Sequence, residues 1–120
     1  MICPEVEELL EALYVHEVEN DGYPSAEIVK NAAQDALSLN FIESVDDKYK
    51  LTDAGTDAGR GVIRRHRLAE LLLTDVLAVK AEEFEEDACR LEHILKDDVE
   101  EKVCILLGHP THCPHGNIIP

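Results

Sequence analysis

The 120-residue sequence is short of aromatic residues and of positive charge. It has no Trp, two Phe, three Tyr and one Met, so its core must be built from aliphatic side chains, which favours helices. Its apolar runs are shorter than the roughly 18 residues that a membrane-spanning helix needs, and the N-terminus Met-Ile-Cys-Pro-Glu does not resemble a signal peptide. These absences predict a soluble, cytoplasmic protein that does not bind membranes.

Charge and cysteine usage narrow the function classes. The 11 basic residues face 26 acidic ones, for a net charge of −15, which opposes non-specific attraction to DNA and suits the binding of cations. The four cysteines (Cys3, Cys89, Cys104 and Cys113) show no close pairing along the chain. This spacing favours reduced thiols and metal ligation over a disulfide framework.

The order of predicted elements is helix, helix, hairpin and long helix, followed by two more helices and an irregular tail. The apolar periodicity and the capping residues, with Ser25 and Thr52 as N-caps, place them at 5–21, 25–39, 41–51, 52–79, 82–95 and 98–107. The apolar stripe predicted for the first helix consists of Val6, Leu9, Leu10, Leu13 and Val18. Asp97 with Glu100 forms a capping pair and Gly108 ends the last helix. The fold class expected is mainly α: a shortened winged helix-turn-helix-like N-terminal module with a short β-hairpin wing, then an α-helical domain. The expected boundaries are 1–60 and 61–120.

The second half carries apolar side chains that a helical unit of some 60 residues cannot all bury alone. We expect an apolar stripe of this half to be buried against a second copy of the chain, which makes the protein a homodimer. The stripe consists of Leu71, Leu72, Val76, Val103, Leu106 and Leu107.

Three helices carry pairs of metal-ligating residues on one face. Cys89, Glu92 and His93 stand at i, i+3 and i+4, a spacing that lets a thiolate, a carboxylate and an imidazole meet at one divalent ion. The alternative is an ordinary amphipathic helix in which Cys89 is a small buried hydrophobe. His66 and Glu70 stand at i and i+4, which also fits a surface His–Glu pair.

Two further groups belong to this pattern. Glu8 and Glu11 lie at i and i+3 on the first helix, beside its apolar stripe. In the tail, four candidate zinc ligands occur within seven residues. They are His109, His112, Cys113 and His115.

Four segments together resemble the diphtheria-toxin-repressor family of iron- or manganese-activated transcriptional repressors. They are Leu51-Thr-Asp-Ala-Gly55, Arg64-Arg-His-Arg-Leu-Ala-Glu70, Asp87-Ala-Cys-Arg-Leu-Glu-His93 and Cys113-Pro-His-Gly-Asn117. The resemblance implies two neighbouring metal sites and a dimerisation domain. It also implies that the tail segment is a packed irregular turn, in preference to a zinc site.

The resemblance also assigns ligands. The primary site would use Cys89, Glu92 and His93 together with Glu8 on the first helix, and Glu11 as a second acidic ligand, as in the manganese-sensing branch. The other site would use His66 and Glu70, with Glu85 standing where the family has a His.

The donor types bear on the metal. A thiolate at Cys89 favours Fe(II), whereas carboxylates at Glu8 and Glu11 favour Mn(II). Fe(II) is the expected cofactor, with Mn(II) or another divalent transition metal as the alternative.

The DNA-reading head departs from the family pattern. Between Gly22 and Phe41 there is room for one helix, where a helix-turn-helix needs two. DNA contacts would then fall on Lys30, Asn31, Gln34, Lys48 and Lys50.

The expected function is a dimeric, metal-dependent transcriptional repressor that binds operator DNA. The alternative is a metal-binding dimer that has lost DNA reading and acts as a buffer or through a protein partner. An enzyme is not expected, because no dedicated base or nucleophile accompanies the metal ligands.

Overall fold

A computed structural model describes residues 3–96 and 98–120, with the backbone alone for 81–84. The chain is mainly helical with one two-stranded antiparallel hairpin, which confirms the predicted fold class. In chain order the elements are α1 (Pro4–Val18), α2 (Ala26–Ser38), β1 (Ile42–Val45), β2 (Lys48–Leu51), α3 (Asp53–Leu71), a π-helical turn (Leu72–Val76), α4 (Ala81–Leu91) and α5 (Asp98–Leu106). Among the described residues, no helix combines the length and the apolar character that crossing a bilayer requires.

The chain divides into two compact units, residues 1–62 and 63–120, and the division falls within α3. Only one helix, α2, lies between α1 and the hairpin, as the short 22–41 interval predicts. Ser25 begins α2 as predicted, because its side-chain oxygen accepts a hydrogen bond from the backbone N–H of Ile28 at 3.3 Å.

The core of the first unit is aliphatic. The predicted stripe of α1 is buried at Val6, Leu9, Leu10 and Leu13, whereas Val18, at the end of the helix, is half exposed, contrary to the prediction. The α2 helix contributes small side chains, which allow its backbone to approach its neighbours closely. These residues are Ala32, Ala33 and Ala36.

The hairpin has a two-residue turn at Asp46 and Asp47, with φ values of 49° and 64°. Positive φ at both positions gives a turn whose twist matches that of the strands. On the outer edge of β2, the N–H of Tyr49 donates to the Tyr23 hydroxyl at 2.9 Å and the N–H of Leu51 donates to Glu17 Oε2 at 2.9 Å. Side chains therefore satisfy the edge of the hairpin where a third strand would otherwise lie.

The glycines of α3 allow close packing within the first unit. Thr52 caps the helix as predicted, its Oγ1 accepting from the N–H of Gly55 at 3.0 Å. A Cβ at Gly55 would lie 1.8 Å from the carbonyl oxygen of Phe41, and one at Gly59 would lie 2.8 Å from that of Leu10. These residues weaken the helix intrinsically, but only a residue without a side chain fits there.

The helices of the second unit are shorter than the sequence indicates. The helix predicted to run to residue 79 gives way to the π-helical turn after Leu71, where the Thr74 hydroxyl donates to the Glu70 carbonyl at 2.9 Å. The α4 helix ends at Leu91, not at residue 95. Gly108, with φ of +76°, ends α5 as predicted, and the predicted Asp97 cap lies outside the described residues.

The apolar surface of the second unit also differs from the predicted stripe. Leu71 and Val103 are buried, and Leu72 and Leu107 pack against the core of this unit. Val76 and Leu106 are exposed as predicted. Further exposed apolar residues, which the stripe did not include, are Leu77, Ile94, Val99 and Ile105.

We expect Gly55→Ala to destabilise the protein, although Ala is the better helix former by about 1 kcal/mol. The new methyl group would overlap the Phe41 carbonyl, and overpacking of this kind costs about 1–3 kcal/mol. Denaturant unfolding followed by circular dichroism measures the change. Gly22→Ala is the control, because a Cβ at Gly22 has no atom within 4 Å. Equal stability of the two variants would contradict the close approach.

Candidate metal centre

Helices α3 and α4 bring the predicted ligands of the second unit together. His66 and Glu70 lie one turn apart on α3, and Glu85 and Cys89 lie one turn apart on α4, with Glu92 just after its last residue. The neighbouring positions Leu68, Ala69 and Ala88 are fully buried in the core of the unit. Because these buried residues fix the rotation of α3 and α4 about their axes, the ligand candidates of both helices lie beside the same packed interface.

The first group, which we call the thiolate site, consists of His66, Cys89 and Glu92. One ligand atom from each lies within 4.8 Å of the others. His66 Nδ1 is 3.1 Å from Glu92 Oε1, and the Glu92 side chain is only 1% exposed. The guanidinium Nε of Arg65 donates to the Glu92 carbonyl at 3.1 Å, which holds the backbone of this ligand in place.

The second group, which we call the Glu70 site, consists of Glu70, Glu85, Cys113 and His115. His115 joins the two carboxylates: its Nδ1 is 3.0 Å from Glu70 Oε2 and its Nε2 is 2.7 Å from Glu85 Oε1. Ligand atoms of Glu70, Cys113 and His115 lie within 4.8 Å of one another, and so do those of Glu70, Glu85 and His66. His66, a member of the thiolate site, therefore also lies within reach of two carboxylates of the Glu70 site.

The tail reaches the Glu70 site through a tight turn. The Cys113 N–H donates to the Asn117 carbonyl at 2.9 Å, and the Gly116 N–H donates to the Cys113 carbonyl at 2.9 Å. Gly116 adopts a positive φ of +83° in this turn. Arg67 donates to the Ile118 carbonyl at 2.6 Å, which ties the turn to α3. The turn thereby places a buried thiol and a half-exposed imidazole beside Glu70.

The four candidate zinc ligands of the tail do not form one group, which agrees with the preferred interpretation of this segment as an irregular turn. His109 Nδ1 faces Cys104 Sγ at 3.5 Å, and His112 Nδ1 faces the Thr111 hydroxyl at 2.9 Å. Among the described residues, the groups able to hold a metal include Cys113 and His115 but neither His109 nor His112. The sequence does show Cys113 and His115 as candidate ligands, but Glu70, with which they form a group, lies more than forty positions earlier in the chain.

The remaining predicted residues lie as follows. His93 follows Glu92 in the turn after α4 and is not in the groups above. Glu8 is exposed and Glu11 half-buried, both on α1 in the first unit. The predicted DNA contacts are all exposed, with the Lys48 ammonium 5.3 Å from the centre of the Tyr23 ring. They are Lys30, Asn31 and Gln34 on α2 and Lys48 and Lys50 on β2.

The donor set fits a divalent transition metal. Ligands at about 2.0–2.3 Å from one ion are at most about 4.6 Å apart, so these groups need little rearrangement to share one. Imidazole and thiolate donors suit iron or zinc, and the added carboxylates suit iron or manganese. Burial supports the same conclusion, because carboxylates as buried as Glu70 and Glu92 call for a cationic partner.

Burial and neighbouring charges shift the pKa of Glu70. Burial raises the pKa of the Glu70 carboxyl above its usual value, and the neighbouring Glu85 carboxylate raises it further. His66 and His115 act in the opposite direction without cancelling the effect. A bound cation would favour the charged form that burial disfavours.

Comparison with known proteins identifies the family. Residues 52–120, more than half of the chain, match the family described as "Iron dependent repressor, metal binding and dimerisation domain". The chain belongs to the iron-dependent repressor family. The residues of both candidate sites lie within the matched segment.

Relatives of the iron-dependent repressor family resemble the chain along most of its length. It is 35% identical over 112 residues to the iron-dependent repressor IdeR of Mycobacterium tuberculosis, covering 92% of this chain and 47% of the relative. It is 32% identical over 111 residues to the diphtheria toxin repressor of Corynebacterium diphtheriae, covering 92% and 48%. The chain thus spans about half the length of these curated relatives. Their names are those of repressors, not enzymes.

Among solved structures, the manganese regulator SloR resembles the fold with a TM-score of 0.85. The two are 28% identical, and the match covers 99% of this chain and 60% of SloR. The winged-helix regulator fold predicted from the sequence is therefore confirmed.

We expect Glu70→Gln to stabilise the metal-free protein increasingly as the pH rises. A carboxyl whose pKa is raised on folding holds its proton in the native state, so its stabilising effect is present below the ordinary value of 4.5 and is lost as the pH rises through the folded value. Gln carries no charge and escapes this loss. Denaturant unfolding with chelator over a pH series measures the difference, and the exposed Glu101→Gln is the control. A difference that shrinks with pH would contradict the assignment.

Proposed function

We propose that the chain is the metal-sensing part of a cytoplasmic, dimeric, metal-dependent transcriptional repressor. The observation that carries the proposal is the thiolate site, which assembles His66, Cys89 and Glu92 within the segment that matches the metal-binding domain of the family. The names of the relatives, which refer to iron-dependent repression and to manganese regulation, agree with it.

Two metal ions per chain would be held. His66, Cys89 and Glu92, with His93, would hold the first, and Glu8 and Glu11 of α1 would complete its coordination. Glu70, Glu85, Cys113 and His115 would hold the second. When bound, the metal supplies a cross-link between segments that are distant in sequence, and it supplies no reaction chemistry.

Fe(II) is the proposed ion of the thiolate site. Its affinity for mixed sulfur, nitrogen and oxygen donors exceeds that of Mn(II), which prefers oxygen and nitrogen. The ligands bind metal in their deprotonated forms, so protons compete with the ion.

Metal would act by selecting one arrangement of the chain. Ligands from α1 and from the second unit would bind the same ion, so the ion would favour the conformations that bring them together. A ligand shifts an equilibrium only by its difference in affinity for the two states. Here the difference arises because only one arrangement offers the full ligand set.

A homodimer is proposed from the apolar surface of the second unit. Val99, Ile105 and Leu106 on α5 are more than half exposed, as are Leu77 and Ile94 elsewhere in the unit. Exposed aliphatic residues in such number on a unit of 58 residues are typical of an interface. The match to a family defined by dimerisation supports the same conclusion.

A second candidate function is a metal-binding dimer that does not read DNA. One observation favours it: residues 1–62 contain 14 acidic and four basic residues, and α2, the one helix between α1 and the hairpin, carries no Arg. DNA binding relies on positive charges that displace counterions from phosphates. Lys30, Lys48 and Lys50 would have to supply nearly all of that charge.

We expect Cys89→Ser to lower the affinity of the thiolate site for Co(II) by at least tenfold and to remove one thiolate-to-cobalt absorption band. The loss follows from replacing a soft, negatively charged donor with a neutral hydroxyl. Anaerobic titration followed by absorption measures both. Cys3→Ser is the control, because Cys3 is exposed in the first unit and lies outside the three groups. An unchanged spectrum in the Cys89 variant would contradict the site.

We expect purified protein with Fe(II) or Mn(II) to select a palindromic sequence from a random duplex pool, and to select none with chelator. Two-fold symmetry of the protein would appear as two half-sites of the selected DNA. Leu106→Glu, placed in the exposed surface of α5, should give monomers by light scattering and lose the palindrome. Val18→Glu, at an exposed apolar position of the first unit, is the matched control.

Failure of this selection has a definite meaning. If metal binds and the dimer forms but no sequence is enriched, the chain does not read DNA and the second candidate function holds. If metal does not bind, both functions are wrong.

A further inference from the structure

His66 lies between the two candidate metal sites and faces each with a different ring nitrogen. Its Nδ1 is 3.1 Å from Glu92 Oε1 in the thiolate site, and its Nε2 is 3.7 Å from Glu70 Oε1 in the Glu70 site. All three side chains are largely buried, at 13%, 1% and 3% exposure for His66, Glu92 and Glu70. Water therefore has little access to the ring, and its two nitrogens must find their partners within the protein.

A neutral imidazole ring cannot ligate a metal in both sites at the same time. A neutral ring has one nitrogen with a lone pair, which can ligate a metal, and one N–H, which can only donate a hydrogen bond. When a metal takes one nitrogen, the proton resides on the other, and that N–H commonly donates to a carboxylate. Here each nitrogen already has a carboxylate beside it.

Two arrangements follow from these distances. In the first, Nδ1 ligates the metal of the thiolate site, and the N–H at Nε2 donates to Glu70 once their 3.7 Å separation shortens to hydrogen-bond distance. In the second, Nε2 joins Glu70 and Glu85 around a metal, which is one of the three groups within 4.8 Å, and the N–H at Nδ1 donates to Glu92. The tautomer of one side chain distinguishes the two.

The ligand inventory decides which arrangement the doubly loaded protein adopts. The Glu70 site has three donors without His66, because Glu70, Cys113 and His115 already lie within 4.8 Å of one another. Without His66 the thiolate site would lose one of its three grouped donors. Loading both sites therefore assigns Nδ1 to the thiolate site.

We propose that His66 couples the two metal sites through its tautomer, so that metal in the thiolate site fixes the N–H at Nε2 and orients Glu70 for a second ion held with Cys113 and His115. This inference rests on the proposed function, since it needs both sites to bind metal. Without metal in the thiolate site, the ring is available to the Glu70 site in the opposite tautomer. The occupancy of one site thus selects the ligands of the other.

The coupling must act in both directions. If metal in the thiolate site changes the affinity of the Glu70 site by some factor, metal in the Glu70 site held by Cys113 and His115 changes the affinity of the thiolate site by the same factor. Removing an outer hydrogen-bond partner of a metal ligand typically costs about 10–100-fold in metal affinity. We expect a coupling of at least about tenfold, at the lower end of that range.

The tautomer is measured directly on the full chain. The ring nitrogens of ¹⁵N-labelled protein are observed by long-range ¹H–¹⁵N correlation during anaerobic titration with Zn(II), a diamagnetic probe, and the His66 signals are assigned by their loss in His66→Gln. At two equivalents of Zn(II) we expect Nδ1 bound to metal and Nε2 protonated. Both nitrogens bound to metal, or the reverse tautomer, would overturn the proposal.

Two matched variants test the exchange of roles. In Glu92→Gln, which weakens the thiolate site, we expect the ring to reverse, with Nε2 bound to zinc and Nδ1 protonated. In Glu70→Gln the ring should keep Nδ1 on zinc. Identical ring states in the two variants would contradict the exchange.

The affinities provide the second readout. Calorimetry with Zn(II) should show that the two binding steps of the unmodified protein are coupled at least tenfold. His66→Gln should weaken the thiolate site by the loss of one ligand and remove this coupling. Two uncoupled sites in the unmodified protein would overturn the inference and leave the proposed function intact. Absence of zinc binding would overturn both.

Discussion

The second unit depends on compensating the charges of two carboxylates that are buried away from water. Glu70 and Glu92 are almost fully buried, and each loses the hydration that normally stabilises its charge. Imidazoles from His66 and His115 take the place of some of that water at 3.0–3.1 Å. A metal ion would satisfy the same charges more completely, so the burial of these carboxylates is what suits the proposed sites to a cation.

This requirement explains the path of the chain in the second unit. The core residues Leu68, Ala69 and Ala88 fix the rotation of α3 and α4, and so decide which flank the ligands occupy. The tail then returns to α3 through the Arg67–Ile118 hydrogen bond and delivers Cys113 and His115. Segments far apart in sequence converge because apolar packing and a tight turn hold them there, before any ion binds.

Much of this arrangement could be predicted from sequence, since it depends on local spacing. The helix order, the Ser25 and Thr52 caps and the pairing of His66 with Glu70 all follow from residues within one or two turns of each other. The role of the α3 glycines could not be foreseen, because it depends on the Phe41 and Leu10 carbonyls. The partnership of the tail with Glu70 was missed for the same reason, since its residues are more than forty positions apart. The early end of α3 is a different case, because the hydrogen bond from the Thr74 hydroxyl to the Glu70 carbonyl there is local.

The hydrogen bonds at the outer edge of β2 affect whether the hairpin can pair with a strand of another chain. A free strand edge is a template for pairing with a strand of another molecule. The Tyr23 hydroxyl and the Glu17 carboxylate occupy the two outward N–H groups there. An incoming strand would have to displace a charged acceptor to pair with this edge. The β2 edge of the hairpin is thereby protected against pairing with strands of other molecules.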